Sequence, residues 1–251
     1  MQQTNRSRHR HITSFQVISL GFLSVILLGS LLLMLPIATK SGQCTSFLDA
    51  LFTATSAVCV TGLVVNDTAT YWSLFGQGVI LLLIQIGGMG IITIAIAIAV
   101  VSGRKIGLMQ RSTMQEAISA PTVGGIVRRT QFIIRTTILI EIIGAVLLAP
   151  VFCRDFGFWK GIWYSLFHSI SAFCNAGFDL IGIRTPFSSL TSYSVQPIVN
   201  LVIMMLIIAG GIGFLTWEDI KNRKWHFKKY RMQSKVIFMV TGILMFLPAL
   251  Y

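Results

Sequence analysis

The chain has 251 residues, of which 54% are hydrophobic and only 11% charged, and its formal net charge is +12. A water-soluble domain carries about 25% charged residues, so the composition excludes an ordinary soluble fold and specifies an integral membrane protein. The positive charge does not argue for nucleic acid, because its placement along the chain follows membrane topology instead.

The basic N-terminus, residues 1–14, precedes a first apolar segment, Phe15–Ala38. No small-residue cleavage site follows it, so it reads as a retained span rather than a removed signal. Phe47–Val60 is too short to cross a bilayer core, which takes roughly 20 apolar residues, and suits a re-entrant helix. Leu74–Val101 is long enough to span with tilt. The same order then recurs: a span at Phe132–Phe152, a short segment at Gly161–Cys174, and a span at Val195–Thr216. Val236–Tyr251 begins another span.

With a cytosolic N-terminus and two re-entrant segments, 16 of the 20 Lys and Arg fall inside, against Lys40, Arg154, Lys160 and Arg184 outside. That asymmetry is the positive-inside signature. The basic loops Arg104–Arg135 and Lys221–Lys235 then have a ready use in fixing topology and contacting anionic lipid. Cys44, Cys59, Cys153 and Cys174 form no C-x-x-C pair, which argues against a zinc or redox site. A Cys44–Cys153 disulfide on the outer side is one option.

Self-similarity organises the chain. Phe52–Gly62, "FTATSAVCVTG", and Phe167–Gly177, "FHSISAFCNAG", both fit F-x3-S-A-x-C-x2-G at a constant offset of 115. Gly87–Thr93 and Gly210–Thr216 both read G-G-x-G-x-x-T at an offset of 123, so the second unit has about eight extra residues between loop and span. "GSLLLMLP" from Gly29, "GAVLLAP" from Gly144 and "GILMFLP" from Gly242 relate the preceding spans. The predicted fold is therefore all-α: two complete units of span, re-entrant helix, glycine-ended loop and span (15–103 and 132–217), and the start of a third (236–251). Cytosolic linkers at 104–131 and 218–235 join them. Both units share one orientation, which suits symmetry about the membrane normal.

Non-helical backbone is tolerated at membrane depth only inside protein or along a watery cavity. A re-entrant helix followed by Val58-Cys59-Val60-Thr61-Gly62 leaves carbonyls unpaired, and facing an axis these replace the hydration shell of a monovalent cation. The loops carry no carboxylate or metal-ligating His, which disfavours a calcium pathway. An enzyme embedded in the spans would need a nucleophile–base pair or metal ligands, and none stand out.

"TSAVCVTGL", "QIGGMG" and "SAFCNAGFD" resemble the Trk/Ktr/HKT superfamily of K⁺ transporters, nearest to the bacterial Ktr-type membrane subunit. The resemblance implies four span–re-entrant helix–span units around a pseudo-fourfold pore, with Gly62 and Gly177 as filter glycines. The filter carbonyls would come from Cys59, Val60, Thr61 and Gly62 and from Cys174, Asn175, Ala176 and Gly177. It implies K⁺ as the permeant ion, with Na⁺ a candidate companion and no other metal. It implies a cell-membrane location, a homodimer in the lipid bilayer, and a cytosolic ring of nucleotide-binding regulatory subunits. The family uses four units where two and a fraction stand here, so the sequence reads as the N-terminal part of a transporter. The competing reading is a truncated, non-conducting paralogue serving as a membrane scaffold or partner subunit.

Other residues carry weaker expectations. Glu141 lies inside a span with no local partner, since Arg135 is on another face; pairing or gating stands against interhelical bonding or protonation. Asp49, Asp67, Asp155 and Asp179 fall outside, and Asp179, two past Gly177, is the candidate at the pore mouth, against the reading of solvated loop acids. His168 is expected to hydrogen-bond within its helix, and Asn175 to brace its loop or modulate selectivity. "GGMG" and "GGIG" lack the strand–helix context of a nucleotide loop and are expected to serve close helix packing.

Overall fold

The structure, a computed structural model, describes residues 14–91, 93–95, 126–183, 185–223 and 226–249. The N-terminal arginines, the basic stretch with Arg104, Lys105 and Arg111, Arg184, Lys224 and Tyr251 lie outside these. The described residues form eight helices, with short 3-10 turns between them and no strand.

Helix α1 (Ser14–Leu33) runs into a turn at Pro36–Ala38, and α2 (Phe47–Val58) follows. Ser46 caps α2 by accepting the Asp49 N–H at 3.2 Å, and Ser73 caps α3 (Leu74–Met89) by accepting that of Gly76. The strip after α1 pairs with the strip before α3: the Lys40 N–H donates to the Tyr71 carbonyl at 2.9 Å and that of Ser73 to Ala38. α1, α2 and α3 are in mutual contact around this fastening.

Helix α4 (Ile126–Phe156) is longer than the span expected at Phe132–Phe152, and carries Pro150 within it. Gly157, at φ 82°, turns the chain into α5 (Phe158–Phe173). Helix α6 (Pro197–Gly211) starts on a proline and ends at glycines. It is followed, at a bend of 93°, by α7 (Phe214–Arg223) and then by α8 (Met232–Ala249). The continuous spans expected at Leu74–Val101 and Val195–Thr216 are thus interrupted. The third glycine of each G-G-x-G marks the break, Gly90 at φ 80° and Gly213 at φ 85°.

Two described helices are long and apolar enough to cross a membrane alone, within Gln16–Leu33 and Val127–Phe156, and the bent α6–α7 pair makes a third. Large apolar side chains on α1, α4 and α6 are exposed, among them Leu28, Leu139 and Leu201, as on lipid-facing surfaces. One hydrophobic core draws on α1 to α6 and holds Trp72, Ile84, Phe152, Phe167 and Tyr193, all fully buried or nearly so. The four cysteines are unpaired, so the Cys44–Cys153 disulfide is not formed.

Glycines let the repeated parts approach in the same way twice. A Cβ on Gly29 would lie 2.7 Å from Leu83, and one on Gly144 would lie 2.8 Å from Leu206. A Cβ on Gly87 would overlap the Val58 carbonyl, and one on Gly210 that of Phe173. Gly29 and Gly144 are 115 residues apart, Leu83 and Leu206 are 123 apart, and the other pairs keep the same offsets.

Candidate functional site

The two loops after α2 and α5 have one backbone path. Cys59 and Cys174 end their helices in right-handed conformation, donating to Thr55 and Ile170. Val60 and Asn175 both stand at φ 58°, and Gly62 and Gly177 at φ 74° and 73°. The N–H of Thr61 donates to the Ser56 carbonyl at 3.0 Å, and that of Ala176 to Ser171 at 2.8 Å. Among the described residues, no hydrogen bond ends on the carbonyls of Val60, Thr61, Gly62, Asn175, Ala176 or Gly177. Each loop thus offers a run of free carbonyl dipoles held from behind.

The serine of the shared motif is part of that hold, a role that the sequence reading did not assign. The Thr61 hydroxyl donates to the Ser56 hydroxyl at 2.9 Å, and the Ser171 hydroxyl donates to the Phe178 carbonyl at 2.6 Å. Its invariance between the two motifs was the available signal.

The loops meet at their glycines. A Cβ on Gly62 would lie 2.7 Å from the Ala176 carbonyl oxygen and 3.3 Å from the Gly177 Cα, while one on Gly177 would lie 3.4 Å from the Gly62 Cα. The conformation at Val60 is costly, because a β-branched residue is an outlier at positive φ, worth about 1–3 kcal/mol. Asn175 takes the same angle with less strain. Val60→Asn should therefore raise thermal stability, by about 1 kcal/mol after loss of a half-buried apolar contact, in melting measured by fluorescence in detergent. A lower melting temperature would contradict the strain argument.

The helix glycines seat these loops. Gly87 lies against the Val58 backbone and Gly210 against Phe173, each within its own unit. Gly88 lies across the unit boundary against Cys174, where a Cβ would be 2.5 Å from the sulfur. The close helix packing expected of "GGMG" and "GGIG" is thus of one helix against the last residue of another, just before the loop. Asn175 makes no side-chain hydrogen bond among the described residues, and its amide lies over Gly210 and Gly211.

Asp67 and Asp155 are fasteners rather than solvated loop groups. Asp67 is buried; its Oδ1 accepts the N–H groups of Ala69 and Thr70, and its Oδ2 accepts that of Phe187 at 3.0 Å. This bond ties the segment before α6 to the segment before α3. Asp155 accepts the Tyr193 hydroxyl at 2.7 Å. Asp179 lines a cavity of about 210 Å³ with His168, Asn175 and Gly177. Burial raises its carboxyl above the ordinary range, against the pull of the Ile181 N–H, and the charge of Asp67 adds to the rise. His168 uses both ring nitrogens, Nδ1 toward the Tyr164 carbonyl at 2.7 Å and Nε2 accepting the Leu180 N–H at 3.3 Å. It is a helix-bonding residue, as expected.

Glu141 has a partner that its own helix did not disclose. Gln85 Nε2 on α3 donates to its two carboxyl oxygens at 2.9 and 3.2 Å. A second cavity, of about 710 Å³, is lined by Gly88, Thr93, Gly211, Thr216, Arg129 and Glu218, among others. Glu218 there bonds Arg129 of α4 at 3.0 Å and Arg231 at 3.2 Å. Asp219 accepts the Ser234 hydroxyl at 2.7 Å and contacts Arg231 at 3.4 Å. This knot joins α4, α7 and α8. Two adjacent acids in a strongly basic segment were its sequence signal, which the accounting of positive charge passed over.

A model of the TrkH family, described as cation transport proteins, matches residues 2–241. The chain is 43% identical to the potassium/sodium uptake protein NtpJ of Enterococcus hirae, over 94% of this chain and 51% of that one. It is 46% identical to the Ktr system potassium uptake protein B of Bacillus subtilis, over 92% and 49%. It is 36% identical to the protein of the same description from Vibrio alginolyticus, again over 92% and 49%. The chain spans about half the length of each of these relatives.

Proposed function

As the chain belongs to the TrkH family of cation transport proteins, we propose that it supplies two walls of a K⁺ uptake pore in the cell membrane. The observation that carries this is the meeting of two equivalent loops, each with free carbonyls, at Gly62 and Gly177. Carbonyl dipoles replace part of the hydration shell of a permeating K⁺, and the bracing from Ser56 and Ser171 limits their collapse when the ion leaves. No carboxylate stands in either run, so binding stays weak enough for release on the inner side. The ion moves down its electrochemical gradient and enters the cavity at the inner ends of the helices.

In this reading each unit is a span, a pore helix with its filter loop, and a second span. Residues 15–103 and 132–217 form the two complete units and 236–251 open a third, with cytosolic linkers at 104–131 and 218–235, all about a pseudo-fourfold axis. Matched offsets of the glycine contacts support the equivalence of the units. The N-terminus is cytoplasmic, Na⁺ is a candidate second ion, and Asp179 draws cations toward the mouth. The pore works as a homodimer with a nucleotide-binding ring on the basic inner face. The Ktr and NtpJ names of the relatives support the ion, and the word "system" in the former supports a multi-component assembly.

The test is complementation. Expressed in its full reading frame in a host unable to take up K⁺, the protein restores growth at low K⁺, and Gly62→Ser with Gly177→Ser removes it. Growth that survives both substitutions would sink the filter assignment.

A further inference from the structure

Glu141 lies midway along α4, and its hydrogen bonds go to neither filter loop. It is 4% exposed, so it does not act as a solvated charge. Its contacts run to two different helices. The side chain takes the Gln85 amide of α3, and the backbone carbonyl accepts the Ser169 hydroxyl of α5 at 2.7 Å. One turn further along α4, Gly144 leaves no room for a Cβ beside the same Ser169 hydroxyl.

Both tethered helices carry filter geometry. Gln85 and Gly88 are three residues apart and share a face of α3. Gly88 is the residue against which Cys174 of the second loop lies. Ser169 stands five residues before Cys174, whose own N–H is held by Ile170. Glu141 thus fixes, through one residue, the spacing between the glycine seat on α3 and the loop that sits in it. The repeat does not provide this elsewhere, since the residue 115 positions earlier is Ile26 and the residue 123 after Gln85 is Ile208. The seam between the two units is the place where a polar pin replaces apolar contact.

We propose that Glu141 and Gln85 form a positioning pair that sets the register of the Cys174–Gly177 loop against the Gly62 loop and so tunes cation discrimination. The proposal rests on the filter reading of those loops. It needs an amide and a carboxyl bonded across the seam, in either order, so exchanging the partners should preserve it.

The experiment is uptake of Rb⁺ and of Na⁺ in a transport-deficient host, per molecule of full-length protein in the membrane fraction. Glu141→Gln retains a bonding pair and should keep the native Rb⁺/Na⁺ ratio. Gln85→Glu sets two carboxyls face to face, one of which must then hold a proton, and should move the ratio toward unity by about fivefold or more, because the amide–carboxyl geometry across the seam is lost. Adding Glu141→Gln to Gln85→Glu restores the pair in reversed order and should recover the ratio. A double variant no better than Gln85→Glu overturns the proposal, as does a native ratio in Gln85→Glu itself. Loss of uptake in Gly62→Ser is the separate control: if that variant transports normally, the filter reading fails whatever the pair does.

Discussion

Replacing Gly62 by alanine is expected to reduce Rb⁺ uptake per molecule in the membrane by at least about tenfold, and more than the same change at Gly177. Both glycines stand at positive φ, where an L-residue costs about 1–2 kcal/mol, and each 1.36 kcal/mol is a factor of ten in rate if it is lost from the conducting state. The two sites differ in their surroundings. A Cβ on Gly62 would press on the Ala176 carbonyl oxygen at 2.7 Å, which is backbone and itself one of the free carbonyls. A Cβ on Gly177 would meet the Gly62 Cα at 3.4 Å, an ordinary contact. Steric damage to the facing loop is therefore one-sided. Equal losses at the two positions would mean that conformation alone matters and that the loops do not touch in the conducting state.

The second large effect is on stability. Gly210→Ala and Gly87→Ala put a methyl group into the carbonyls of Phe173 and Val58, so a helix must move away from the end of the short helix that it packs against. Overpacking of this kind costs about 1–3 kcal/mol, and here the neighbour is backbone with little freedom to yield. Both variants should melt lower in detergent and accumulate less in the membrane. Gly78→Ala is the control on the same helix as Gly87, because no atom lies within 4 Å of its Cβ position. It should be neutral or stabilising by up to about 1 kcal/mol, through helix propensity alone. A Gly87→Ala variant as stable as Gly78→Ala would show that α3 is not pressed against the end of α2.

Much of this arrangement is legible in the sequence because membranes restrict what a chain can do. Short segments flanked by long apolar ones identify α2 and α5, and the constant offset identifies their loops as one structure used twice. Membership of the TrkH family follows from the same motifs. The positions of Gly62 and Gly177 are readable because few residues other than glycine tolerate that backbone angle. Contacts between units were not readable, since each depends on residues far apart in the chain. Glu141 looked unpaired because its partner, Gln85, lies 56 positions earlier. Asp67 looked like a loop acid because the amide that it holds, at Phe187, is 120 positions on.

Helix ends were misjudged for a related reason. Hydropathy runs without a break through Gly90 and through Gly213, so a window average sees one span where the backbone turns. The third glycine of each G-G-x-G was visible, but the first two have a packing role and the third a conformational one, and composition does not separate these. The knot of Glu218 and Asp219 with Arg129 and Arg231 lies just past the second break. It ties α7, past its 93° bend from α6, to α4 and to the start of α8.

The proposal that two short loops, 115 residues apart, line one cation path is tested most directly by a structure of the full-length protein in Rb⁺ or Tl⁺, with the ion located by its anomalous scattering. Ion density is expected between the loops, bounded on two sides by the carbonyls of Val60–Gly62 and Asn175–Gly177, and lost in Gly62→Ser. Ions bound elsewhere in the protein, with none between these loops, would contradict it.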